Sequence, residues 1–233
     1  MEKINLFCIP YAGGSATSLY KKWNNLLGSA IEVIPVELPG RGARINEPLL
    51  YNYEEVVNDI YSSISNLIDS GKPYALFGYS MGSWLSYELA HKIMENGQKA
   101  PIHAFFAAKE APHVEREGKD THKLGNDEFI NEVIKYGGMT DEFLKHEELL
   151  ELFLPILRAD YEVSETYRYT PGRQKLDCDI TIFNGEKDHF NIYQISEWRN
   201  QTNRSCKIFN FNDGHFFIDS CLESMINIIN ATL

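Results

Sequence analysis

Short apolar runs alternate with helical patterns along the first half of the chain. Four of these runs predict buried strands, at residues 4–9, 31–38, 74–77 and 102–108. Two stretches between them, 53–68 and 81–96, repeat apolar residues at the spacing of an amphipathic helix. Because strands that alternate with helices usually pair in parallel, we expect an α/β fold: a mostly parallel central sheet with helices on both faces.

The pattern changes between residues 112 and 169, where no strand is indicated and the charge density rises. Helical patterns occupy 129–136 and 149–161. An insertion at this point of an α/β sheet lies above the carboxyl ends of the strands, where active sites form. We predict that 112–169 form a helical lid within a single domain, 1–233. A helical subdomain without a gating role is the alternative.

The sheet pattern returns after this insertion. We expect strands at 180–183 and 206–211, and a closing helix over 216–229. The loops after these two strands carry acidic and imidazole side chains, so that the last third of the chain supplies candidate chemistry at the same edge of the sheet.

The composition limits the partners of the chain. Its 233 residues have a net charge of −11 and no run of lysines or arginines, which argues against nucleic acid and anionic membranes. No apolar stretch approaches the ~18 residues of a membrane span, and the first apolar run is too short for a signal peptide. We expect a cytoplasmic monomer whose four cysteines are reduced, since none has C-x-x-C spacing.

Residues 78–82, Gly-Tyr-Ser-Met-Gly, have the Gly-x-Ser-x-Gly pattern of a nucleophile elbow. They stand between a predicted strand and a predicted helix, so Ser80 lies where the chain turns sharply. The glycines leave room for that turn, and the first N–H groups of the helix point at an oxyanion formed there. A tight turn with an idle serine is the alternative interpretation.

Asp188 and His215 complete a candidate triad with Ser80. Each follows a predicted strand, and the order serine, acid, histidine is that of α/β-hydrolases. The imidazole would take the proton of the serine hydroxyl, and the carboxylate would fix the imidazole tautomer. Glu186 is the alternative acid and His189 the alternative base. This chemistry needs no metal and no cofactor.

The glycine-containing loop after the first strand, residues 10–15, is placed to supply a second oxyanion donor. On this interpretation the backbone N–H groups of Ala12 and Met81 share the oxyanion. Two arginines, Arg41 and Arg44, follow the second strand. For both we favour a solvated loop charge over a role in binding an anion.

Several blocks of the chain resemble the type II thioesterases that accompany nonribosomal peptide and polyketide synthases. The resemblance runs nearly end to end and rests on Pro-Tyr-Ala-Gly-Gly at 10–14, Leu-Pro-Gly-Arg-Gly at 38–42, the elbow at 78–82, Leu-Arg-Ala-Asp-Tyr at 157–161 with Glu-Thr-Tyr at 165–167, and Gly-His-Phe-Phe at 214–217. It implies an α/β-hydrolase fold with a helical lid.

The same resemblance implies a reaction: hydrolysis of misprimed or stalled acyl groups from the phosphopantetheine arm of carrier proteins. Its machinery would be Ser80, Asp188 and His215, with Ala12 and Met81 as oxyanion donors. Because carrier proteins are usually acidic, as this chain is, docking by gross charge attraction is not expected.

The chain departs from the family pattern in two places, which bear on substrate preference. Residues 107–112 read Ala-Ala-Lys-Glu-Ala-Pro, and the acid loop carries Glu186 and His189 where Asp and Pro are expected. Other functions remain open on the same residues. The acyl group could pass to an amine or hydroxyl, the enzyme could hydrolyse acyl-CoA or esters generally, or a decayed site could bind carriers without chemistry.

Overall fold

A parallel six-stranded sheet forms the centre of the molecule. The computed structural model describes residues 3–115, 118, 120–137 and 146–233. The strands are β1 (Ile4–Ile9), β2 (Ile31–Pro35), β3 (Tyr74–Tyr79), β4 (His103–Ala107), β5 (Asp179–Gly185) and β6 (Cys206–Phe211). Their order is β2-β1-β3-β4-β5-β6, and every neighbouring pair is parallel. The predicted parallel sheet is therefore confirmed.

Helices connect the strands. They are α1 (Ala16–Tyr20), α2 (Tyr53–Asp69), α3 (Met81–Glu95), α4 (Asn126–Lys135), α5 (Glu147–Thr166), α6 (Ile192–Ser196), α7 (Phe217–Ser220) and α8 (Leu222–Thr232). One helix was predicted over 216–229, but the structure has two, separated at Cys221. The Ser220 hydroxyl lies between the Phe217 carbonyl and the Asp213 carboxylate, a local bond that competes with helix continuation.

Alternate residues of each strand enter two separate hydrophobic layers. On β3, Leu76 points into the layer formed with α2 and α3, whereas Phe77 points into the layer formed with α1 and α8. Both side chains are fully buried. A strand that is buried on both faces reads as a continuous apolar run, which is why the sequence pattern located β3 and β4 closely.

A third, smaller hydrophobic cluster joins α4 and α5 in the predicted insertion. Phe129, Val133 and Leu157 form its buried centre, and Ala12 of the loop after β1 packs against it. The carboxyl-terminal half of α5 instead enters the main core through Val163. The insertion is thus anchored at one end and lies over the β1 loop at the other. No helix in the described part of the chain is long and apolar enough to cross a membrane.

Candidate active site

Ser80 stands at the sharp turn between β3 and α3. It has φ of +52°, in the left-handed region that side chains other than glycine rarely adopt. The turn also brings backbones into contact. A Cβ on Gly78 would lie 2.1 Å from the Gly82 carbonyl oxygen, and a Cβ on Gly82 would lie 2.4 Å from the Ile9 carbonyl oxygen. Gly78 and Gly82 are therefore required, because a side chain at either position would collide with the backbone.

His215 and Asp188 converge on Ser80. His215 Nε2 lies 2.9 Å from Ser80 Oγ, and His215 Nδ1 lies 2.7 Å from Asp188 Oδ2. The loops that carry them follow β5 and β6, whose last residues, Gly185 and Phe211, are paired neighbours. The structure thus brings together the three residues that the sequence pattern selected.

Tyr79 fixes the position of the loop that carries His215. Its hydroxyl donates a 2.6 Å hydrogen bond to the backbone carbonyl of His215. Its ring packs against Phe217, the second residue after the histidine. Burial raises the pKa of the Tyr79 hydroxyl, so that it remains a hydrogen-bond donor. The residue before Ser80 in the chain therefore also orients His215.

Asp188 is ionised in spite of being buried. Burial by itself raises the pKa of its carboxyl, but hydrogen bonds from His189 and His215 outweigh that effect and lower the pKa well below its ordinary value. The side chain is 1% exposed. A fixed negative charge on the far side of His215 stabilises a proton on that imidazole.

The alternative acid and base occupy different positions. Glu186 is exposed to solvent. His189 contacts Asp188 on its other oxygen, with Nδ1 2.7 Å from Oδ1, and no hydrogen bond joins it to Ser80 among the described residues. His215 is therefore the imidazole in contact with the serine hydroxyl.

The two expected oxyanion donors border the cavity beside Ser80. Met81 is the first residue of α3, and Ala12 lies in the loop after β1. Neighbouring N–H groups of that loop are engaged, since Gly13 donates to Asp160 Oδ2 at 2.6 Å and Gly14 to the Tyr11 carbonyl at 2.9 Å. Within the described residues, no acceptor is paired with the N–H of Ala12 or Met81.

The interpretation of Arg41 and Arg44 as solvated charges is wrong. Arg41 is 5% exposed, and its guanidinium pairs with both oxygens of Asp160, at 2.5 and 2.7 Å. Arg44 is partly buried and holds Asp59 and Glu47. Arg41 pairs with a carboxylate on α5 and Arg44 with one on α2. These contacts with distant elements shield both side chains from water. Arg41 and Asp160 belong to the sequence blocks at 38–42 and 157–161, but the sequence does not indicate that the two side chains pair.

A cavity of about 350 Å³ opens beside Ser80. Val133, Tyr136, Leu157 and Tyr161 of α4, α5 and the turn after α4 form part of its wall. Mixed apolar and polar walls of this size are typical of small-molecule sites. The cavity therefore has room for a small organic group next to the Ser80 hydroxyl.

Lys109 and Glu110 also line this cavity. The Lys109 ammonium lies 3.9 Å from the centre of the Trp84 ring and 3.4 Å from Glu110 Oε2. Both side chains are largely buried. Indole N–H groups of Trp84 and Trp198 hold the backbone carbonyls of Glu110 and Lys109. A buried ion pair thus lies next to the elbow, a feature that the sequence pattern did not predict.

A second cluster of a carboxylate and an imidazole, Glu165 and His122, joins α5 to the segment before α4. The Glu165 carboxylate accepts hydrogen bonds from the backbone N–H groups of Thr121 and His122, both at 3.0 Å, and lies 2.5 Å from the His122 ring. Since these contacts occupy the carboxylate, we assign no metal to it. The absence of a metal or cofactor stays a prediction.

Comparisons with known proteins agree with this geometry. The thioesterase domain family model matches residues 4–233. The chain is 36% identical to the gramicidin S biosynthesis protein GrsT of Aneurinibacillus migulanus, over 97% of this chain and 88% of that protein. It also resembles the crystal structure of ClbQ from the colibactin nonribosomal peptide and polyketide synthase pathway, with a TM-score of 0.94, 32% identity and coverage of 99% and 97%.

A further solved structure is similar over nearly its full length. The type II thioesterase BorB from the borrelidin biosynthetic cluster aligns with a TM-score of 0.88 and 32% identity, covering 99% of this chain and 92% of that one. The likeness extends through the insertion as well as the sheet.

Proposed function

The chain belongs to the thioesterase domain family and is a thioester hydrolase, and on this premise we propose that it removes misprimed or stalled acyl groups from carrier proteins. The substrate would be an acyl group on the phosphopantetheine arm of a nonribosomal peptide or polyketide synthase. The single observation that carries the proposal is the contact of His215 with both Ser80 and Asp188. The pathways of the similar proteins GrsT, ClbQ and BorB supply the substrate class.

We assign the first half of the reaction to attack by Ser80. As its Oγ bonds to the thioester carbonyl carbon, the hydroxyl proton passes to His215 Nε2. The carbonyl oxygen becomes an oxyanion, and the N–H groups of Met81 and Ala12 would donate to it. Each such donor contributes about 3 to 4 kcal/mol to transition-state stabilisation in model serine hydrolases. His215 then returns the proton to the departing sulfur, leaving an acyl-enzyme and a free thiol.

The second half repeats these steps with water. His215 takes a proton from a water molecule as the water oxygen bonds to the acyl carbon, and the ester bond to Ser80 Oγ breaks as that oxygen regains the proton. Asp188 stays ionised throughout, which supports the imidazolium in both halves. The products are a free carboxylic acid and the unmodified enzyme.

We also propose that the insertion, residues 112–169, acts as a lid of a single domain. Its support is the placement of α4 and α5, whose small core packs on Ala12 and whose side chains wall the cavity. Hydrogen exchange tests this role. Faster exchange in α4 and in the first half of α5 than in β3 and β4 is expected, whereas uniform protection equal to that of the sheet contradicts gating.

The decisive experiment is release of free acid from acyl-phosphopantetheinyl carrier protein, measured beside the same acyl groups on coenzyme A. Ser80→Ala is the control for enzyme-dependent release. Preference for the carrier-bound form is the expected outcome. Equal or faster hydrolysis of coenzyme A esters would move the enzyme to general acyl hydrolysis. Amide or ester product on addition of an amine or alcohol, with little free acid, would make it an acyltransferase.

A further inference from the structure

The Asp188 carboxylate is shared by two imidazoles. His215 Nδ1 lies 2.7 Å from Oδ2, and His189 Nδ1 lies 2.7 Å from Oδ1. The backbone N–H of His189 also donates to Oδ1 at 2.7 Å. One imidazole contacts Ser80, but the other has a side chain that is 45% exposed. A buried carboxylate therefore connects the candidate base to a histidine that meets solvent.

His189 lies at the boundary between the cavity beside Ser80 and a second, outer cavity. It borders both, as do Tyr136, His215 and Phe216. Its ring centre is 3.8 Å from that of Phe190, 5.0 Å from that of Tyr136 and 5.7 Å from that of His215. Asp188, His215 and Tyr136 lie next to it, and Lys135, Lys187 and Asp213 border the outer cavity. The cavity beside Ser80 adds the charged side chains of Lys109, Glu110, Glu115 and Glu165.

We propose that His189 is a positioning residue that extends the working range of His215 to lower pH through their shared carboxylate. The proposal rests on the assignment of Ser80, Asp188 and His215 under the proposed function. His189 does not touch the serine, so its action passes through Asp188.

The direction of the effect follows from charge. When His189 gains a proton, its positive charge lies beside Asp188 and 5.7 Å, ring centre to ring centre, from His215. That charge disfavours a second proton on His215, which therefore stays neutral and able to accept the Ser80 proton. A unit charge at such a distance moves a titration midpoint by about 0.5 to 1 pH unit.

The test compares three variants over the range from about pH 5 to about pH 8, where histidines titrate. His189→Asn keeps a short neutral hydrogen-bond donor near Oδ1, and His189→Phe keeps a ring without a donor. His113→Gln is the matched control, because His113 also pairs with a carboxylate, Glu197, but borders neither cavity. The readouts are the rate at which a fluorophosphonate labels Ser80 and kcat/KM for acyl-phosphopantetheine hydrolysis.

Both His189 variants should raise the midpoint of the acidic limb by about 0.5 to 1 pH unit, and His113→Gln should leave it in place. His189→Asn should keep the plateau rate within about threefold, because the amide replaces the donor to Asp188. The shift should shrink in high salt, since the charge of an exposed imidazole is screened.

Two results would overturn the role of His189: an unmoved acidic limb in both variants, or an equal loss of rate at every pH. Failure of the proposed function is recognised separately. If wild-type Ser80 is not labelled by the fluorophosphonate and thioesters are not hydrolysed, the assignment of the triad fails before the His189 variants are compared.

Discussion

The guanidinium of Arg41 and the carboxylate of Asp160 form a bidentate ion pair, with two hydrogen bonds of 2.5 and 2.7 Å, although 119 positions separate them in the chain. Both side chains are at most 6% exposed. Asp160 also accepts the N–H of Gly13, the residue next to the expected oxyanion donor Ala12. One ion pair thus joins α5, the loop after β2 and the loop after β1.

Removal of Arg41 should weaken both the fold and the reaction. Arg41→Met leaves the Asp160 carboxylate buried without its cation, and single removals of this kind lower the free energy of unfolding by about 3 to 5 kcal/mol. Arg44→Met is the matched control, because Arg44 is partly exposed and does not contact the β1 loop. Its loss of stability should be smaller.

Denaturant unfolding and kcat, both measured at a temperature where the variants are folded, separate the two effects of Arg41. We expect kcat of Arg41→Met to fall further than kcat of Arg44→Met, since Arg41 no longer holds the Asp160 carboxylate that accepts the Gly13 N–H next to Ala12. Equal losses of stability in the two variants, or a wild-type kcat for Arg41→Met, would show that the ion pair does not hold the oxyanion loop.

The backbone strain at Ser80 should be measurable as stability. Ser80→Ala and Ser80→Gly both remove the hydroxyl and its contact with His215, but glycine adopts φ of +52° without strain. Ser80→Gly should therefore be more stable than Ser80→Ala by about 1 to 2 kcal/mol in denaturant unfolding. Both variants should lose acyl release by at least about a thousandfold. Identical unfolding midpoints would mean that the turn stores no strain.

Gly82 should not tolerate even a methyl group. A Cβ there would lie 2.4 Å from the Ile9 carbonyl oxygen and 2.6 Å from that of Pro10, and neither backbone group has room to move. Gly82→Ala should lower the free energy of unfolding by more than about 3 kcal/mol or prevent folding. Gly28→Ala is the control, because its nearest neighbour is 3.5 Å away. Similar urea midpoints for both variants would contradict the close approach of α3 to β1.

Stability should fall as the pH drops from about 6.5 to about 4, because two buried histidines stay neutral in the folded state. Burial lowers the pKa of His91 to about 4, with a contribution from Arg173, and burial lowers that of His103 to about 4. The unfolded chain binds these protons first. The stabilisation is therefore complete above about pH 6.5 and is lost as the pH falls toward 4.

His91→Phe tests this dependence. It keeps a ring beside Tyr87, whose centre lies 4.6 Å away, and removes one titrating group. The difference in unfolding free energy between pH 7 and pH 4.5 should shrink by about 2 kcal/mol, and His103 should contribute a similar amount to what remains. Urea unfolding at several pH values measures it. An unchanged pH dependence would show that His91 is protonated equally in both states.

The sequence pattern located most of the sheet, and the reason lies in burial. Strands such as β3 and β4 are covered on both faces, so their apolar runs are unbroken. Short elements at the periphery were not found. Helix α6 has five residues held by a capping box at Asn191, and a single helical turn leaves no periodic signal. The break at Cys221 depends on a contact of Ser220 with Asp213, which no local pattern contains.

The site residues likewise fall into those that the sequence pattern located and those that it could not. Ser80, Asp188 and His215 could be selected because each follows a strand, and a parallel sheet gathers the carboxyl ends of its strands at one edge. Their catalytic roles stay predictions until the variants are measured. The partners of Arg41 and Lys109 could not be foreseen. Each is held by side chains that approach through tertiary folding, Asp160 in one case and Trp84 in the other.

The small cluster of Phe129, Val133 and Leu157 gives the insertion a hydrophobic centre separate from the two layers that hold the sheet. Val133 and Leu157 also border the cavity beside Ser80. The wall that meets the acyl group is therefore supported apart from the scaffold that aligns the serine, the imidazole and the carboxylate. Substitutions in α4 and α5 can therefore change the shape of the cavity wall without disturbing the alignment of Ser80, Asp188 and His215.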